Sequence, residues 1–80
     1  MNQLTIIENP IYLGTIAKAA KERLQASPYH FLRKISCECK DGVLTLKGHL
    51  FSFYEKQIAQ ETVSHVEGTI QVINEIEVEN

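Results

Sequence analysis

The chain has 80 residues, of which 44% are apolar and 22% are charged, and its formal net charge at pH 7 is −2. A chain of this size forms one small domain with little surplus stability, and this composition excludes a disordered protein, which needs low hydrophobicity and high net charge. The slightly acidic balance also argues against non-specific nucleic-acid binding, which depends on neutralising phosphates.

The first eight residues contain apolar side chains without a helical or strand period, and we expect an N-terminal arm there. They do not show a basic start followed by a long apolar run, so the sequence predicts neither a signal peptide nor a membrane span. We therefore expect a cytoplasmic protein whose contact with membranes, if any, is peripheral. Residues 9–80 are predicted to form a single domain.

A first helix is predicted between Asn9 and Pro28. Asn9 is a suitable N-cap, Pro10 suits the first helical position, and Pro28 disfavours helical angles at Ser27. Apolar side chains at a spacing of three or four form one stripe along this helix, at Leu13, Ile16, Ala17, Ala20 and Leu24. Polar side chains lie opposite, at Lys18, Lys21, Glu22 and Gln25.

A β-hairpin follows a short connection at residues 29–33. Residues 35–39 alternate apolar and polar side chains, Asp41-Gly42 favours a two-residue type I′ turn, and the partner strand is predicted over residues 43–50. The register that this turn sets pairs Cys39 with Leu44, Cys37 with Leu46, and Ile35 with Gly48. On the other face it pairs Glu38 with Thr45, Ser36 with Lys47, and Lys34 with His49. A shift of one residue would bury the charged side chains, so the register is well determined.

The second half of the chain predicts a helix and a strand. Ser52 and Glu55 have the spacing of a capping box, in which each side chain bonds the other residue's N–H. The helix that follows carries one apolar face, at Ile58, Ala59, Thr62, Val63 and Val66. The last strand has an apolar face at Ile70, Val72, Asn74, Ile76 and Val78, and an opposite face at Gln71, Ile73, Glu75 and Glu77.

These elements predict an α+β fold in the order α-β-β-α-β. Because each strand has one apolar face, both helices should cover the same side of a three-stranded mixed sheet, which makes a two-layer α/β sandwich. The connection through the second helix should make the last strand parallel to the second.

From Ile35 onward the sequence resembles the BON domain family, which consists of small bacterial attachment domains with two helices and three strands. Residues 42–50 match the family's hairpin. The residues that match its capped helix are Ser52, Glu55, Ala59, Val63 and Val66, and those that match its closing strand are Gly68, Val72, Asn74, Ile76 and Val78. Thr69 stands where the family usually has Val. The resemblance implies a binding module, and family members are often proposed to attach to phospholipid.

The sequence contains no recognisable catalytic or cofactor motif, so we expect neither an enzyme nor a bound cofactor. Cys37 and Cys39 lie on one strand face with Cα atoms ~6.5–7 Å apart, a poor geometry for a disulfide. We expect two reduced, largely buried thiols, with a redox-sensitive thiol or a metal ligand as weaker alternatives. The alternating glutamates Glu75, Glu77 and Glu79 are interpreted as a charged strand edge that resists aggregation, with a cation site as the weaker alternative.

Two candidate binding surfaces follow from charge and exposure. Residues 1–47 carry a net charge of +3, whereas residues 48–80 carry −5. The first half therefore supplies a basic surface for anionic phospholipid, at Lys18, Lys21, Arg23, Arg33 and Lys34. The alternative is a protein-interaction or self-association surface, at Val43, Ile73, Phe53 and Tyr54. At least one of Phe51, Phe53 and Tyr54 is expected in the core.

Overall fold

The computed structural model describes residues 15–79 of the chain. Its elements in chain order are helix α1 (Thr15–Ala26), a 3-10 helix (His30–Lys34), strands β1 (Ser36–Lys40), β2 (Val43–Lys47) and β3 (His49–Leu50), helix α2 (Phe53–Val63), and strands β4 (Gln71–Asn74) and β5 (Glu77–Val78). The connection predicted at residues 29–33 is therefore mostly helical. The predicted arm and the predicted helix start at Asn9 lie outside the described residues.

The strands form a mixed sheet in the order β1-β2-β4, with β1 antiparallel and β4 parallel to β2. Strand β3 follows β2 along the chain and strand β5 follows β4, and β3 and β5 form a second parallel pair. Residues of both helices join the sheet residues in a single core cluster, so the helices cover the same face. The predicted α+β class, element order and parallel last strand are confirmed.

The hairpin has the predicted turn and, over Ser36–Lys40, the predicted register. The predicted pairs of Ile35 with Gly48 and of Lys34 with His49 are wrong as strand pairs, because Lys34 ends the 3-10 helix and His49 pairs with Glu77 instead. Cys37 pairs with Leu46 and Cys39 with Leu44 on the helix-covered face. Asp41 and Gly42 have φ angles of 53° and 82°, both in the left-handed region that a type I′ turn requires. The alternation of apolar and polar residues in two adjacent segments was sufficient to determine this pairing.

Two strands that the sequence predicts as continuous are each interrupted once. Gly48 has a φ of 149°, which ends β2 and separates it from β3. The last strand is interrupted between Asn74 and Glu77. Backbone hydrogen bonds carry the pairing across both interruptions, since the N–H of Glu75 donates to Leu46 O at 2.9 Å and that of Glu77 to Gly48 O at 2.8 Å.

The core lies between the helices and the covered face of the sheet. Its buried side chains are Ala20, Leu24, Leu32, Ile35, Leu44, Leu46, Leu50, Ala59, Val63, Val66 and Ile76. The prediction that Ile70 belongs to this face is wrong, because its side chain is 78% exposed. Ile70 precedes β4 and lies against Gly42 at the hairpin turn. Asn74 is the polar residue on the predicted apolar face of the last strand. It is half-buried, and its Nδ2 donates to Lys56 O in α2 at 3.0 Å.

Candidate functional site

Three aromatic side chains are exposed within four residues at the start of α2. Phe51, Phe53 and Tyr54 are 67%, 73% and 66% exposed, so the prediction that one of them lies in the core is wrong. The buried face of α2 is set by Ala59 and Val63, and one turn before Ala59 this face reaches Glu55 instead of an aromatic residue. We call Phe51, Phe53 and Tyr54 the aromatic surface.

The capping residues hold the aromatic surface in place. Ser52 Oγ accepts a hydrogen bond from the Glu55 N–H at 3.1 Å, as the capping box predicts. The Glu55 carboxylate reaches one residue further back than expected and accepts the Phe51 N–H at 3.2 Å. These two hydrogen bonds fix the backbone on both sides of Ser52. They therefore also fix the backbone positions from which the three aromatic side chains extend.

A lysine from the first half of the chain lies beside this surface. Lys34 Nζ is 5.9 Å from the centroid of the Phe51 ring, within range of a cation–π interaction. Lys34 and its neighbour Arg33 are both exposed at the end of the 3-10 helix. The tertiary structure thus brings the predicted lipid-binding residue Lys34 to Phe51, one of the three aromatics that flank the polar N-cap in the sequence. The predicted interaction residues Phe53 and Tyr54 follow in the first turn of α2.

The basic residues of α1 are not part of that arrangement. Lys18 and Lys21 border one shallow cleft, whereas Arg23 borders another on a different side of the helix. Lys21 is half-buried, and its Nζ donates to Ile35 O at 2.7 Å. Lys21 therefore binds the protein's own main chain, in contrast to its expected place opposite the apolar stripe.

The face of the sheet that the helices leave open carries the other predicted interaction residues. Val43 is half-buried and Ile73 is 37% exposed, and they lie in successive rows of the β2–β4 pair, opposite Gln71 and Thr45 respectively. Neither side chain is as exposed as the three rings of the aromatic surface.

An acidic stripe follows the outer strand of that open face. Glu75, Glu77 and Glu79 are all exposed. His49 Nε2 lies 3.0 Å from Glu77 Oε1 and 3.8 Å from Glu79 Oε2. The parallel pairing of β3 with β5 places His49 directly beside Glu77, a neighbour that the hairpin register alone could not show.

The two cysteines are unpaired and lie under α1, but they are only half-buried, so the expectation of large burial is too strong. Cys37 Sγ donates to Ala17 O at 3.5 Å. Burial raises the pKa of the Cys37 thiol, the Lys21 ammonium opposes this effect, and Cys39 adds to it. The pair acts mainly as packing beneath the helix.

The described residues contain no cluster of histidine, cysteine, aspartate or glutamate side chains suited to a metal ion. Within the same residues, no helix has the length and apolarity needed to cross a bilayer. A cleft of ≈ 950 Å³ lies between α1, the hairpin turn and residues 66–70.

A comparison with family models matches residues 13–80 to the model described as BON domain. No curated protein shows significant similarity to the chain.

Proposed function

The chain belongs to the BON domain family, a family of binding domains, and on that basis we propose that it is a non-enzymatic module that attaches to anionic phospholipid surfaces. The observation that carries this proposal is the aromatic surface, with Lys34 beside it. A cytoplasmic protein in peripheral contact with a membrane is the corresponding location, and it stays a prediction.

Exposed aromatic side chains favour the membrane interface. Rings of this kind partition to the level of the lipid headgroups, and Tyr54 can keep its hydroxyl in water while its ring is buried. Three rings that are each about two-thirds exposed represent apolar area that the fold of the described residues does not cover. Insertion of this area into the membrane interface contributes a favourable hydrophobic free energy, which salt does not screen as it screens charge attraction.

Cationic side chains add a second, weaker attraction. A basic residue near an anionic leaflet contributes about 1 kcal/mol, and this contribution falls off within a Debye length, about 8 Å at physiological ionic strength. Lys34 and Arg33 are placed to contribute beside the inserted rings. Lys18 and Arg23 lie on α1 and contribute less in this orientation, whereas Lys21 is engaged with Ile35.

Co-sedimentation with vesicles of phosphatidylglycerol and phosphatidylcholine tests the proposal. We expect the triple variant Phe51→Ser, Phe53→Ser, Tyr54→Ser to lose binding while it keeps the circular dichroism spectrum of the wild type. The matched control Ile70→Ser, Ile73→Ser removes exposed apolar side chains elsewhere and should bind as the wild type does.

Two further outcomes separate the competing surfaces. If Lys18→Gln, Arg23→Gln abolishes binding and the aromatic triple variant does not, the basic face of α1 is the lipid surface and the aromatic proposal is wrong. If the wild type ignores anionic vesicles at low salt, the lipid proposal fails as a whole. Light scattering would then test self-association as the alternative.

A further inference from the structure

We propose that the outer edge of β4 and β5 binds an extended, basic segment of a protein partner as an added strand. Strand β4 pairs with β2 on one side, and β5 pairs with β3 on the same side. In the part of the chain that the structure describes, no strand lies along their other side. This edge runs over residues 71–79, which is long enough to accept a peptide strand of similar length.

Main-chain groups are available along this edge. The N–H groups of Glu75, Glu77 and Glu79 donate inward, to the chain of β2 and β3, at 2.8–2.9 Å. Because the direction alternates along a strand, the N–H and C=O of the intervening residues point outward. The Ile76 N–H donates to Asn74 Oδ1 at 3.2 Å. The Ile76 C=O and the N–H and C=O of Val78 point outward, since the residues on either side of Val78, Glu77 and Glu79, bond inward.

The charge along the edge determines the chemistry of the partner. The three glutamates alternate along the chain and lie on the open face of the sheet, where the side chains of an added strand would lie directly beside them. Lysine or arginine at every second position of that strand would form opposite-charge pairs. His49 already contacts Glu77 and Glu79, so a basic strand competes with one histidine for these two carboxylates.

The same charges disfavour a second copy of this chain as the occupant. Two such edges in contact would place glutamates beside glutamates, and like charges that face each other across strands are destabilising. The glutamates therefore disfavour pairing of this edge with a second copy of the chain, whereas a partner strand of opposite charge can still bind there.

Binding of a nine-residue peptide that alternates lysine and threonine, measured by fluorescence anisotropy, tests this proposal. A control peptide has the same composition with all lysines first. We expect the alternating peptide to bind about tenfold more tightly, because only its lysines share one strand face. Equal affinity for the two peptides would show simple charge attraction and would overturn the proposal.

Backbone methylation distinguishes an added strand from a peptide held by its side chains. One version of the peptide is N-methylated at its lysines and another at its threonines. Only one of these sets of N–H groups faces the edge, so we expect one version to bind about as the parent does and the other about tenfold more weakly. If both versions bind equally or both fail, strand addition is wrong.

Protein variants locate the site. The variant Glu75→Gln, Glu77→Gln, Glu79→Gln should bind the alternating peptide about tenfold more weakly. The control Glu22→Gln, Glu38→Gln, Glu61→Gln removes three exposed carboxylates elsewhere and should bind as the wild type does. Equal weakening in the two variants would contradict a site at this edge.

Discussion

The Cys37 thiol lies beneath α1, where burial raises its pKa above the ordinary value, partly opposed by the Lys21 ammonium and increased by Cys39. A raised pKa means that the folded protein holds this proton more tightly than the unfolded chain does. The resulting contribution to stability is present below the ordinary pKa and is lost as the pH rises through the raised one.

We therefore predict that the free energy of unfolding of the wild type, relative to Cys37→Ser, decreases from about pH 7 to about pH 10. Urea unfolding at several pH values measures this difference. The Cys39→Ser protein retains Cys37 and serves as the control, since its stability should keep the same trend. A difference that is constant with pH would contradict the assigned cause.

Gly48 is a second position at which the identity of one residue determines local structure. A Cβ atom added there would lie 2.9 Å from Ile35 Cδ1, and the φ of 149° disfavours any L residue. We predict that Gly48→Val lowers the free energy of unfolding by about 1–3 kcal/mol, measured from urea midpoints.

The double variant Ile35→Val, Gly48→Val separates the two causes. It removes the Ile35 Cδ1 atom nearest the new side chain and should cost less than the sum of the single variants. Strict additivity would mean that backbone strain alone accounts for the loss. Identical midpoints for Gly48→Val and the wild type would show that the backbone adjusts without cost.

At the scale of secondary-structure elements, α2 depends on its N-cap. Ser52 Oγ satisfies the Glu55 N–H, one of the first-turn donors that have no partner within the helix. We predict that Ser52→Ala lowers the free energy of unfolding by about 1 kcal/mol. The control Ser36→Ala removes an exposed hydroxyl whose hydrogen bond to Lys47 O is 3.4 Å long, and it should change the free energy of unfolding by less than about 0.5 kcal/mol. Thermal and urea unfolding of the two variants give the comparison.

The hairpin and α2 also show which elements sequence patterns predict well. Local signals determine both elements. The hairpin is determined by a turn with two positive φ angles between two alternating segments, and α2 by an N-cap serine whose hydroxyl accepts the N–H of the residue three positions later. The interruption at Gly48 was not predictable in the same way, because the pattern of apolar residues continues through it. A side chain at Gly48 would meet Ile35, which lies between the 3-10 helix and β1, and no pattern near Gly48 shows this neighbour.

For the whole molecule, the aromatic surface and the acidic edge are neighbours. Phe51 follows β3 directly, and the Glu79 N–H donates to the adjacent Leu50 O at 2.8 Å. Carboxylates at this position should repel an anionic membrane that the rings approach.

We accordingly predict that Glu75→Gln, Glu77→Gln, Glu79→Gln strengthens binding to anionic vesicles while it weakens binding of the alternating peptide. The variant removes three negative charges from a chain with a net charge of −2. Its effect on vesicles should disappear at high salt, because screening removes the repulsion. Unchanged vesicle binding at low salt would mean that the acidic edge faces away from the membrane.

The amino-acid sequence by itself determined the element order, the hairpin register and the helix-covered face of each strand. These follow from residue periodicity and turn chemistry, which act between residues close together in the chain. Only the tertiary structure decided that all three aromatics stay outside the core, that Lys34 joins Phe51, and that Lys21 turns inward to Ile35. Burial and charge contacts of this kind depend on which elements pack together and where each helix begins over the sheet, and no local pattern specifies that geometry.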